Sequence, residues 1–419
     1  MSNSLPRSPQ RPFAVVLAGF LGWTLDAFDF FLVVMTLTAI GKEFHKTDRE
    51  MALSLTLTLA FRPVGALIFG LLADRYGRRL PLMIDLVFYS IVEVLTGLAP
   101  SFRTFLLLRA LFGIGMGGEW GVGASLTMEK VPAKLRGVLS GFLQEGYAVG
   151  YLLAALAYRF VFPHWGWRPL FFIGGLPALL ALFVRFAVQE SEVWQKNKAE
   201  SWSHLGRGLL AHWPIFIYLV ALMTMMNLSS HGTQDLYPTF LQRYRGLGVK
   251  DRSNLTAISM VGALIGGILF GLLSDRIGRR RAIVMAFVGA LLAIPVWALP
   301  SGLGKLAAGA FVLQFMVQGA WGVIPAHINE LSPDSIRGSM PGFAYQCGNL
   351  LASYVVQVEA GMAQHWDYGL VMAMSAGTFF LLAIFVTAIG RERRGDEFGA
   401  KIDYGQQASV TAGKNLNTS

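Results

Sequence analysis

The chain has 419 residues, of which 54% are apolar and only 14% charged, with a net charge of +10 and a mean hydropathy of +0.51. A soluble domain carries roughly 25% charged residues, so the composition excludes an ordinary soluble protein and indicates an integral membrane protein. The basic residues sit in short clusters between apolar runs, which is the pattern of membrane topology and not of a nucleic-acid surface.

Twelve spans of about 20 residues, the length that a ~30 Å hydrocarbon core requires of a helix, are predicted. The first six lie at 13–39, 52–73, 80–98, 102–127, 138–160 and 166–187, and the second six at 212–240, 254–274, 282–299, 304–328, 338–361 and 368–390. The expected fold is all-α, with six-helix bundles over 1–187 and 212–390. The polar stretch 188–211 reads as a cytoplasmic linker. Residues 391–419 lack apolar periodicity and are expected to form a solvated, disordered cytoplasmic tail. Lys and Arg outside the spans favour one side roughly twofold, which places both termini in the cytoplasm. A multi-pass protein of the inner or plasma membrane is expected, monomeric in the lipid bilayer. No cleavage motif follows the first apolar segment, and the single cysteine, Cys347, cannot form an internal disulfide. No enzyme activity, metal or cofactor is expected, and no GxxxxGK[ST] phosphate loop is present to drive an ATP pump.

The two halves repeat. GLLADRYGRR at 70–79 returns as GLLSDRIGRR at 271–280, shifted by 201 positions. At the same shift Glu129, Pro132, Arg136 and Gly137 return as Glu330, Pro333, Arg337 and Gly338. Two parallel halves, each able to cross a bilayer, suggest a transporter with its site between them. In the cassettes, Asp74 and Asp275 end a helix where a carboxylate can face a neighbouring helix N-terminus or an arginine. With Arg75, Arg78, Arg276, Arg279, Glu129, Arg136, Glu330 and Arg337 they are candidates for a gate whose contacts break and re-form as the halves rock. The alternative is that the arginine clusters only hold topology.

The cassette G-x-x-x-D-R-x-G-R-R, once per half, resembles the signature of the major facilitator superfamily. E-x-x-P-x-x-x-R-G at 129–137 and 330–338 resembles its sugar-porter-like and organic-acid branches, and ESEVW at 190–194 loosely resembles their signature after span 6. The superfamily resemblance covers about residues 13–390.

Cargo chemistry should lie where the repeat is broken. In span 7, Asn227, His231 and Asp235 are spaced i, i+4, i+8, with Ser230 and Gln234 between them, and so form one polar stripe on an apolar helix. Their repeat partners are Asp26, Phe30 and Val34. Ionisable groups at membrane depth are costly unless they pair or line a wet cavity. The plain alternative is a His–Asp contact that tightens helix packing. The pattern N-x-x-[ST]-H-x-[ST]-Q-D-x-x-x-T, met by Asn227, Ser230, His231, Thr233, Gln234, Asp235 and Thr239, resembles the signature of fungal lactate/pyruvate–proton symporters, within the sialate–proton symporter branch. That resemblance implies proton-coupled uptake of short monocarboxylates.

Arg62 in span 2 has Ala263 as its repeat partner. A guanidinium at this depth suits a bidentate carboxylate, and the resemblance implies that this arginine is the carboxylate anchor. A permanent ion pair with Asp26 or Asp29 is the alternative. Gln346 and Asn349 on span 11 resemble the family's polar pair there and could hydrogen-bond a hydroxyl or keto oxygen, or simply hold helices together. Asp26, Asp29, His231 and Asp235 are the candidates for carrying the proton; histidine has a reference pKa of about 6.5. Glu119 and Glu145 are further span acids, and Arg109 is expected to pair with an acid. Sialate or another organic acid remains an alternative cargo. A carboxylate sensor and a drug exporter are the alternatives of a different class.

Overall fold

The computed structural model describes residues 12–399, apart from 200, 236, 300 and 301. Among the described residues it is all-helical. The first half runs α1 Pro12–Glu43, α2 Asp48–Tyr76, α3 Arg79–Gly97, α4 Phe102–Lys130, α5 Arg136–Gln144, α6 Gly146–Trp165, α7 Arg168–Ile173 and α8 Pro177–Ala187. Two short helices follow, α9 Glu192–Asn197 and α10 Trp202–Ala211. The second half runs α11 Trp213–Gln234, α12 Tyr237–Arg243, α13 Val249–Ile277, α14 Arg279–Ala298, α15 Leu303–Leu331, α16 Met340–Ala352, α17 Val355–Met362 and α18 Tyr368–Ile389.

Local chemistry fixes the helix ends. Thr47 and Glu50 close a reciprocal capping box at the start of α2, and Ser101 and Asp367 cap α4 and α18. Each satisfies backbone N–H groups that a helix start leaves free. The turns after α2 and α13 place Gly77 at φ 102° and Gly278 at φ 104°, backbone positions that a side chain would strain.

α3 illustrates how a bilayer sorts a helix. Leu80, Ile84, Val87, Ile91 and Leu95 are exposed along one stripe, while Leu82, Leu86, Tyr89 and Val92 are buried on the other. The apolar stripe needs no protein cover because hydrocarbon is its solvent. Each half has its own core, one centred on α1–α8 and one on α11–α18.

Eleven stretches among the described residues are long and apolar enough to span. The predicted span over 338–361 is broken instead into α16 and α17, with Ser353 turning its hydroxyl onto the Leu350 carbonyl at 2.7 Å. Spans 5, 6 and 7 are also not single helices: they break at Glu145, at Gly174–Leu176 and after Gln234. The stretch expected as a solvated tail is described over 391–399, where residues 391, 392 and 394–397 are exposed. Phe398 packs with the apolar cluster of Val16, Met128, Val131 and Ala326, because burying one aromatic ring offsets the ordering of a short segment. The remainder of that tail lies outside the described residues.

The halves meet by a two-fold exchange, α5 against α13 and α15, and α16 against α2 and α4. Glycine makes this possible. A Cβ on Gly121 would meet the Cα of Gly342 at 2.6 Å, and Cβ atoms on Gly137 and Gly141 would meet the carbonyls of Gly271 and Gly267 at 2.3 and 2.4 Å. The main chains therefore touch directly.

Candidate functional site

Two groups of side chains occupy the plane between the halves: a mirrored set at the end carrying the cassettes, and an unmirrored set deeper in the membrane.

At the cassette end, Asp74 accepts hydrogen bonds from the backbone N–H groups of Gly338 and Ser339, at 2.7 and 3.0 Å, just ahead of α16. Asp275 accepts from Gly137 and Val138, both at 2.9 Å, in the first turn of α5. Each carboxylate thus meets the positive end of a helix dipole in the opposite half. Arg78 ties Asp74 to Glu129 at 2.7 and 3.0 Å, and Arg279 ties Asp275 to Glu330 at 2.8 and 2.9 Å. Across the seam, Arg136 lies 3.9 Å from Glu330 and Arg337 lies 3.8 Å from Glu129. Ser125 adds hydrogen bonds to Asn329 and to the Arg337 carbonyl. The molecule is closed at this end. Two of the expected gate residues stand outside the seam: Arg75 donates to the Ala199 carbonyl at 3.0 Å, and Arg276 is exposed with its carbonyl capped by Arg394.

Deeper in, Arg62 on α2 is buried, and its Nε and Nη2 have no hydrogen-bond partner. Its guanidinium stands over Tyr345 of α16, 5.9 Å from the ring centroid. Two coplanar donors on a desolvated cation form a fork for a carboxylate. The alternative of a permanent ion pair is not formed: all four carboxylate oxygens of Asp26 and Asp29 lack partners. Asp26 is within electrostatic reach of Arg62. Asp29 points elsewhere, since a Cβ on Gly174 would meet its Oδ1 at 2.7 Å and Glu93 at 2.5 Å. Glu93 in turn binds Arg109, which also donates to Thr96 at 2.6 Å. The expected Arg109–acid pair therefore involves Glu93.

From the second half, His231 places Nδ1 3.1 Å from Asp235 and Nε2 3.2 Å from Asn349 on α16. An imidazolium satisfies both oxygens with two donated hydrogens, a neutral ring only one. The same helix, α16, carries Tyr345 under Arg62 and Asn349 against His231. The two halves thus converge on one polar zone. Gln346 is buried in it with both amide atoms unpartnered.

Other members of the span 7 stripe turn away. Gln234 donates to Gln314 of α15 at 2.9 Å and to Ser230 at 3.2 Å, and Gln318 reaches Ser230 at 3.4 Å. Asn227 donates to its own helix, to the Met223 carbonyl, at 2.7 Å. The single stripe is therefore divided between the polar zone and the α15 interface, because the helical twist carries Ser230 and Gln234 round to α15.

An aromatic wall adjoins the zone and has no counterpart in the sequence reading. Tyr345 packs on Trp120 at 4.6 Å and on Trp321 at 5.7 Å, while Trp23 packs on Tyr147 at 5.4 Å. The indole N–H groups of Trp23, Trp120 and Trp321 are all buried without partners. The acids Asp85, Glu93 and Glu359 were also missed. Glu359 accepts from Ser375 at 2.6 Å behind α11. Each is an acidic residue within an apolar span of the sequence, and that is the signal that could have found them. Among the described residues, no cluster of three His, Cys, Asp or Glu side chains is arranged to hold a metal ion.

Comparison with known proteins identifies the family and the fold. The sequence model of the Major Facilitator Superfamily matches residues 19–355 and, in a second alignment, 236–407. A carboxylic acid transporter protein homolog of Saccharomyces cerevisiae is 29% identical, covering 90% of this chain and 67% of its own. The sialic acid transporter NanX of Escherichia coli is 28% identical over 91% of this chain and 94% of its own. The cis,cis-muconate transport protein of Acinetobacter baylyi is 25% identical, with the same coverages of 91% and 94%. Among solved structures, the proton:xylose symporter XylE superposes with a TM-score of 0.76 at 19% identity, over 93% of this chain and 98% of that one, a likeness of fold.

Proposed function

Because the chain belongs to the Major Facilitator Superfamily, it is a membrane transporter, and we propose that it is a proton-coupled symporter of a short monocarboxylate, lactate with pyruvate beside it. The observation that carries this reading is Arg62, a buried guanidinium with two free donors facing a His–Asp–Asn cluster of the other half. The relatives named for carboxylic acids, sialic acid and muconate support an organic acid as cargo.

In this mechanism the cassette end faces the cytoplasm of a cell membrane and both termini lie inside. The outward-facing monomer takes a proton on the His231–Asp235 pair, on Asp26 or on Asp29. The carboxylate then docks on Arg62, and Asn349 and Gln346 take its hydroxyl or keto oxygen. Anion plus proton is neutral, which avoids about 2.3 kcal/mol per charge per 100 mV for moving a bare anion against the potential. Neutralising Arg62 lowers the cost of closing over the cargo. The Asp74 and Asp275 latches then release, and the halves rock open inward.

Proteoliposomes test the proposal. Labelled lactate should accumulate under an inward proton gradient, faster as the outer pH falls, and a protonophore should abolish accumulation. Equal entry with and without the gradient rejects coupling. A second reading is favoured by the aromatic wall: three unpartnered indole N–H groups suit a larger planar acid better than lactate. Competition of muconate and sialate against labelled lactate separates the two.

A further inference from the structure

The segment after α18 follows a course mirrored by the segment after α8. Glu190 accepts the N–H groups of Arg78 and Arg79, at 3.0 and 3.1 Å, at the start of α3, and Glu392 accepts that of Arg280, at 2.9 Å, in the first turn of α14. Arg79 binds the Arg185 carbonyl, and Arg280 binds the Ala388 carbonyl. Beyond this the second copy does something different: it crosses the seam. Arg136 of the first half donates to the Asp396 carbonyl at 2.7 Å, and the Gly399 N–H binds Asp334 of the second half at 2.8 Å. The Phe398 ring lies between Arg136 and Arg337, with their guanidinium carbons 3.4 and 3.7 Å from its centroid.

These two arginines occupy mirrored positions, one in each half, and are the same residues that reach across to Glu330 and Glu129 at 3.9 and 3.8 Å. Arg337 is paired within its own half with Asp334 at 2.5 Å, but the carboxylate contacts that reach across the seam are the long ones. The ring between the two guanidinium groups therefore offsets the approach of two like charges there. A π-face attracts a cation from either side, so one phenyl ring can satisfy both guanidinium groups, but only while the halves are together. We propose that Arg136 and Arg337 form a receptor for the aromatic side chain of Phe398, and that the docked C-terminal segment is a removable bolt holding the cassette end closed. Undocking is required before that end opens. The receptor also defines what could compete for it: an aromatic side chain followed closely by a free backbone N–H.

Docking of Phe398 depends on neither cargo nor coupling, and a distance measurement across the seam involves neither. Spin labels are placed at Lys134→Cys and Arg281→Cys, both exposed and one in each half, in a Cys347→Ser background. The distance distribution across the seam is then measured in lipid nanodiscs. With Phe398 present, the short distance should dominate. Phe398→Ala should raise the population of the longer distance about tenfold, and Phe398→Leu should raise it less, since it keeps bulk but loses the π-face. Phe398→Trp should match the unmodified chain. An unchanged distribution in Phe398→Ala, or a Leu variant indistinguishable from Trp, overturns the proposal.

Discussion

The two halves share a frame and differ in what fills it. At the cassette end Asp74, Arg78, Glu129 and Arg337 have near-identical partners in Asp275, Arg279, Glu330 and Arg136. In the interior the likeness disappears. Asp85, Glu93, Arg109 and Glu119 of the first half are buried, and the residues 201 positions on are Ala286, Ile294, Ala310 and Ala320, all buried in an apolar core. A gate that must close from both sides can use the same parts twice. A site that binds one asymmetric small molecule cannot, so charge is concentrated in one half and the His–Asp–Asn cluster in the other.

Six substitutions probe that contrast. The largest effect is expected at Arg62→Lys, which keeps the charge but not the fork. Uptake of labelled acid should fall about 100-fold, the loss of roughly 2–3 kcal/mol of charge-assisted hydrogen bonding; near-normal uptake removes Arg62 from the site. Glu93→Ala leaves Arg109 buried without its carboxylate and should cost about 3–5 kcal/mol of stability. The mirrored Ile294→Ala creates only a cavity and should cost about 2–4 kcal/mol. Denaturation in detergent compares the two, and a smaller cost for Glu93→Ala would mean that the first half's charges are not interlocked.

Asp74→Asn and Asp275→Asn test the mirrored region. Each should shift the cross-seam distance toward the open form by a similar amount, about 1–3 kcal/mol apiece, and a large disparity would break the symmetry argued above. Least is expected from Gln234→Leu. Because that side chain binds α15, half-saturation for the acid should move less than about twofold, with at most ~1 kcal/mol of stability lost. A tenfold change would return Gln234 to the cargo site.

The sequence made some of this visible for identifiable reasons. The spans were legible because hydrocarbon demands long apolar runs, and the cassettes because they repeat. The breaks at Ser353 and after Gln234 were not, since a span's continuity is settled by what its neighbours can satisfy. The i, i+4, i+8 spacing placed His231 above Asp235, but only the position of α15 decides that Ser230 and Gln234 face the other way. The aromatic wall was hidden because Trp23, Trp120, Trp321 and Tyr345 come from four distant stretches. Phe398 was hidden for the opposite reason: one ring in a polar tail has no periodicity, and its significance comes from two arginines far back in the chain.

The glycine seam has a mechanical consequence. Where Gly121 meets Gly342 and Gly141 meets Gly267, main chain rests on main chain with no compressible side chain between. Such a bearing allows the bundles to roll over one another but gives no slack. A single added methyl group would act as a wedge, and the bundles would have to separate to admit it.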